Sequence, residues 1–128
     1  EKSTHSFKAI ELYKGDFLPG YYDSWCEELR VKYKNMYITL CEELIKILET
    51  EARHEEVIKY SELLLKEDKL NDSAHISTIN AYTKLGNIKT AKSRYEIMLK
   101  IYDDELGEKP QPKTLDKITL ILSAAKDL

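Results

Sequence analysis

An all-α fold is what this sequence predicts: about six helices packed as antiparallel pairs. Three observations carry that expectation. Glycine and proline are scarce, four and three in 128 residues, too few for a turn-rich β architecture. Apolar residues recur at spacings of three and four along most of the chain, the signature of helices with one buried face. The segments that break this pattern are short, and short connections make neighbouring helices antiparallel. Hydrophobic residues at 42% and charged residues at 34% suit one domain over residues 1–128 with a continuous core.

The elements follow in order. His5–Tyr13 is short and mildly helical, and Gly15-Asp16 stops it. Leu12–Trp25, "LYKGDFLPGYYDSW", packs five aromatics around the Pro19-Gly20 turn. In it Tyr13, Phe17, Leu18 and Trp25 are expected to wedge the first helix against the next. Ser24-x-x-Glu27 has the form of a capping box, which opens a helix. From there Cys26, Leu29, Tyr33, Met36, Leu40, Leu44 and Ile47 mark a stripe, widened by Cys41, Ile45 and Leu48, over Ser24–Thr50. The pattern breaks at Glu51–His54, and Val57, Ile58, Ser61, Leu64 and Leu65 resume it to about Lys66. Asn71, Asp72 and Ser73 each can cap a helix carrying His75, Ile79, Tyr82 and Leu85, which Gly86-Asn87 ends. Ile88, Ala91, Tyr95, Met98 and Tyr102 share one face of the following helix, closed by Gly107. Pro110 and Pro112 stiffen a connector, and Leu115, Ile118, Leu122 and Ala125 define a last amphipathic helix.

Helix pairs of this kind invite a search for repeats. Ala81-Tyr82-Thr83-Lys84-Leu85-Gly86, then Ala91 and Tyr95, fit the tetratricopeptide pattern. A shift of about 34 residues, the tetratricopeptide period, places Leu48, Ala52, Val57 and Ser61 at the same stations. Two units result, Ile38–Asn71 and Asp72–Glu105, with Leu115–Ala125 as a terminal helix. Each pair leaves an apolar side that the next pair covers, so stability is shared between neighbours.

Composition narrows the function. Net charge is −3, and the only arginines are Arg30, Arg53 and Arg94, so a phosphate-binding face is not expected. Cys26 and Cys41, fifteen positions apart on one helix, would lie more than about 20 Å apart, beyond disulfide reach. Two free thiols suit a reducing cytoplasm. No apolar run reaches membrane-spanning length. His5, His54 and His75 stand far apart without metal-ligand spacing, and no phosphate loop or nucleophile elbow is present. The adjacent carboxylates Glu27-Glu28, Glu42-Glu43 and Glu55-Glu56 diverge by about 100° on a helix, so they read as solvated faces. No cofactor, no metal and no catalytic residue is assigned; the expectation is a protein that is not an enzyme.

One candidate site remains. In tetratricopeptide arrays the first helix of each pair lines the concave side. By register these residues are Thr39, Glu42, Lys46 and Glu49 in the first unit, and Ser73, Ile76, Asn80, Thr83 and Lys84 in the second. A carboxylate clamp for chaperone tails needs a basic residue at 42 and an asparagine at 46, which this chain lacks. A mixed-charge groove with one apolar spot at Ile76 is left, and a peptide groove and a merely solvated face both fit it.

Taken in order, "LYKGDFLPGYYDSW", the long helix, "LLKEDKLND", "AYTKLGN" and "YDDELGEKPQPKTLDKI" resemble the bacterial transcriptional activator domain, the tetratricopeptide-like effector domain of the Streptomyces antibiotic regulatory protein family. The resemblance covers nearly the whole chain. Two departures stand out: Lys69 replaces a proline common after Asp68, and Gln111 replaces a serine that would cap the final helix. The resemblance implies a role in transcription control through protein contacts: self-association, the DNA-binding domain of the same regulator, or RNA polymerase. It implies contact with DNA only through an N-terminal winged-helix domain that precedes this one, and the start at Glu1 suits a piece of a longer protein. The other function class open to the sequence is a stand-alone tetratricopeptide adaptor binding a peptide in the groove.

Overall fold

The structure, a computed structural model, describes residues 24–126, with side chains over 26–125. The expected first helix over His5–Tyr13, the aromatic joint and the wedge by Trp25 lie outside the described residues. Five helices are described: α1 (Ser24–Thr50), α2 (His54–Glu67), α3 (Asp72–Lys84), α4 (Ile88–Leu106) and α5 (Pro112–Lys126). Among the described residues there is no strand. Each helix packs on the next, and α3 also touches α1 and α5.

The repeat is visible in the backbone. At the end of α1, the Arg53 amide donates to the Leu48 carbonyl at 3.0 Å and the Ala52 amide to Glu49 at 3.1 Å. At the end of α3, Asn87 donates to Tyr82 at 2.9 Å and Gly86 to Thr83 at 3.0 Å. These are the paired bonds of a Schellman cap, which needs a left-handed residue at its centre. Gly86 supplies it at φ 82°, and Ala52, one period earlier, does so at φ 56°. The same cap therefore recurs at the same station, and it reverses the chain to lay each second helix against its first. Asn71 and Asn87 then start α3 and α4, accepting from the amides of Ala74 at 2.9 Å and Thr90 at 3.3 Å. Gly107, at φ 64°, ends α4.

Two apolar clusters share α3. The first gathers Tyr37, Cys41, Leu44 and Leu48 of α1, Val57, Tyr60 and Leu64 of α2, and Ala74 and Ala81 of α3. The second joins Ile79 to Ala91, Met98 and Tyr102 of α4 and Ile118 of α5. Small residues let α3 serve both: Ala74, Ser77, Thr78 and Ala81 are buried, and their short side chains let neighbouring helices approach. Removing a leucine from such a core costs about 2–5 kcal/mol, so the first cluster is the main anchor of α1 on α2.

Two expected positions differ. Met36, placed on the buried stripe of α1, is 49% exposed, and Tyr37 is buried in its stead. The stripe that faces α2 runs Tyr37, Cys41, Leu44, Leu48, at intervals of four, three and four. Apolar residues on both flanks of it left its centre uncertain by one residue, or about 100° of rotation. Leu85 is 44% exposed because it caps α3 rather than continuing its face. His75, by contrast, is buried as its station requires.

A candidate partner cleft

A cleft of about 640 Å³ opens between α1, α3 and α5. From α1 it takes Thr39, Glu42, Lys46 and Glu49; from α3 it takes Ser73, Ile76 and Asn80. Seven of the nine residues placed in the groove by register thus come together. Thr83 and Lys84 do not line it. They occupy the last turn of α3, beyond Asn80, and the Thr83 hydroxyl donates to the Ile79 carbonyl at 2.8 Å.

The third wall was not foreseen. Lys117, Leu120 and Ile121 of α5 close the cleft, because α5 packs beside α3 as a first helix of a third pair would. The sequence holds part of this: these three lie on the side of α5 away from Leu115 and Leu122, and the five-residue connector 107–111 is short enough to keep α5 beside the helices before it. Leu120 is 70% exposed at the rim, whereas Ile45, Leu64 and Ala74 form an apolar floor below.

The α1 wall is electrically uneven. Glu42 accepts from Asn71 Nδ2 at 3.2 Å, which ties the wall to the cap of α3. Among the described residues Glu43, Lys46, Glu49 and Lys117 take part in no ion pair. Charges of both signs therefore face solvent around an apolar floor.

A polar junction holds the third wall in place. Asp72, in the first turn of α3, accepts from the Tyr102 hydroxyl of α4 through Oδ1 and from Thr114 Oγ1 of α5 through Oδ2, the latter at 3.1 Å. The Tyr102 oxygen also lies 2.9 Å from the Leu70 carbonyl. Burial, and then the bonded Asp72 carboxylate, raise the pKa of Tyr102. Beside it His75 meets the tyrosine ring edge-on, centroids 6.0 Å apart, and its Nε2 donates to the Lys69 carbonyl at 2.8 Å. A carbonyl only accepts, so the proton sits on Nε2. Burial is the foremost cause that lowers the His75 pKa. Sequence periodicity placed His75 and Tyr102 on apolar faces but could not show that Asp72 joins three helices.

No group of three or more His, Cys, Asp or Glu among the described residues could hold a metal, and no helix is long and apolar enough to cross a membrane. Cys26 and Cys41 are buried free thiols, and burial, foremost, pushes Cys41 up to about 11, which keeps it protonated and unreactive. No curated protein matches the chain. The family model of the bacterial transcriptional activator domain matches residues 2–122, nearly the whole length. The chain belongs to the bacterial transcriptional activator domain family.

Proposed function

We propose that this domain is a non-enzymatic effector and oligomerisation module of a bacterial transcriptional regulator, acting in the cytoplasm through protein–protein contacts. The family match over residues 2–122 carries the reading. The acidic balance of the chain, −3 overall, supports it, since DNA contact would then fall to a separate winged-helix domain upstream. Self-association, that DNA-binding domain and RNA polymerase are the partners the reading allows. No cofactor has a part in it.

The test is a version of the protein extended upstream by about one domain length. It should bind DNA with a steep salt dependence, and the 128-residue chain alone should not. A reporter driven by the extended protein should lose activation when Ile76→Glu places a charge in the cleft, while DNA affinity holds. An extended protein that ignores DNA at low salt would sink the regulator reading. The cleft favours a second reading, an adaptor that holds a peptide between α1, α3 and α5, and that outcome would leave it standing.

A further inference from the structure

The outward stripe of α1 carries an order of charges that is its own complement. Glu28, Lys32, Met36, Thr39, Glu43 and Lys46 are all solvent-exposed. At 3.6 residues per turn they fall within an arc of about 80° on one side of the helix. Their sequence is acid, base, an apolar methionine, a small hydroxyl, acid, base. None of the four charged groups takes part in an ion pair among the described residues, although Glu28 and Lys32 have the i, i+4 spacing that permits one.

Consider a second α1 laid antiparallel on this stripe, with a two-fold axis between Met36 and Thr39. Lys32 and Glu43 lie equally far from that axis, so each Lys32 meets the Glu43 of the other copy. Glu28 and Lys46 lie within one residue of equal distance, about 1.5 Å of helix rise, so they too meet with opposite sign. At the centre the two Met36 side chains, each 49% exposed, leave water together beside Thr39. A parallel pairing in register would set every charge against its like. The pattern thus selects both the partner and its direction. Thr39, Glu43 and Lys46 also line the cleft, so the partner helix would run along the cleft's α1 rim.

We propose that the domain forms a two-fold dimer through this face of α1, in which Lys32 of each copy pairs with Glu43 of the other. The interface is isologous, with the same patch on both copies. It rests on the self-association part of the function proposed above and names the surface that performs it.

A charge exchange tests it by sedimentation equilibrium of the full chain. The unaltered chain should dimerise, more weakly as salt rises. Lys32→Glu and Glu43→Lys each convert two attractions into two repulsions and should each weaken the dimer at least about tenfold. The double variant, and an equimolar mixture of the two single variants, should regain it, because opposite charges again face each other. Circular dichroism of each variant controls for folding, since both positions are exposed. Met36→Ser should weaken the dimer without altering its salt dependence. A dimer indifferent to both reversals overturns this surface but leaves self-association through another face. A chain monomeric at all concentrations overturns the proposal, whereas the DNA-binding and reporter assays judge the regulator reading separately.

Discussion

Tyr102→Phe removes one oxygen and should cost far more than an oxygen's packing. The hydroxyl has a single proton, which goes to the carboxylate of Asp72 with the Leu70 carbonyl 2.9 Å away. A hydrogen bond to a charged acceptor is worth about 1.5–3 kcal/mol, against about 1 for a neutral one. Tyr102 is only 5% exposed, so water cannot replace the lost donor readily, and the upper half of that range applies. Asp72 keeps Thr114 Oγ1 at 3.1 Å, which limits the loss; Thr114→Val alone should cost about 1–2 kcal/mol. Urea denaturation of the single variants, Asp72→Asn and the pairs gives a double-mutant cycle. The three groups share one network, so Tyr102→Phe and Asp72→Asn together should cost at least about 1 kcal/mol less than the sum. A cost below about 0.5 kcal/mol for Tyr102→Phe, strictly additive with Asp72→Asn, would show that the junction does not hold these helices.

Ala52→Gly should stabilise the chain by about 0.5–1 kcal/mol, since the left-handed φ of 56° costs an alanine about 1–2 kcal/mol and glycine returns part of that as unfolded-state entropy. A thermal melt shows the gain, and the reverse change, Gly86→Ala at φ 82°, should destabilise by a similar amount. Ser61→Ala should be neutral or stabilising by up to about 1 kcal/mol, because Ser61 Oγ is buried without a hydrogen-bond partner among the described residues and its desolvation is uncompensated; destabilisation in urea would point to a partner. His75 has a lowered pKa in the fold, so its contribution to stability is fully present above the ordinary value of 6.5 and is lost as pH falls through the folded value. Urea midpoints at pH 7.5 and below 6.5 should therefore fall with pH, and His75→Gln should flatten that part of the slope.

The helices were legible in the sequence because each is punctuated by residues whose backbone preference has one outcome. Asn71 and Asn87 accept from the third amide of the following helix, and Gly86 and Gly107 turn the chain where a side chain would resist. Ala52 shows the limit of such signals. The repeat period set it at the station of Gly86, but an alanine does not announce a positive φ, and only the backbone shows the cap there. The buried face of α1 was harder for a related reason. With apolar residues at 36, 37, 38, 40, 41, 44, 45, 47 and 48, several adjacent stripes score alike, and only packing against α2 chose Tyr37 over Met36.

Much of the cleft was also legible, because a 34-residue period fixes which turns of α1 and α3 face the same way. Its third wall was legible only in part: helical spacing sets Lys117, Leu120 and Ile121 on one side of α5, but the packing of α5 on α3 turns that side to the cleft. Thr114 belongs to that packing. It stands one turn before Lys117, and its bond to Asp72 holds the start of α5 to the start of α3. Asp72 in turn precedes Ser73, the first cleft residue of α3, and Asn71 beside it donates to Glu42 on the α1 wall. The three walls are therefore tied at one end through neighbouring residues, while at the other end Thr83 and Lys84 leave the cleft open. A change that loosens the junction, such as Tyr102→Phe, should act on the cleft by releasing α5 rather than by touching any lining residue. Loss of partner binding in that variant, with the lining intact, would mark the width of the cleft at α5 as the property that the polar junction sets.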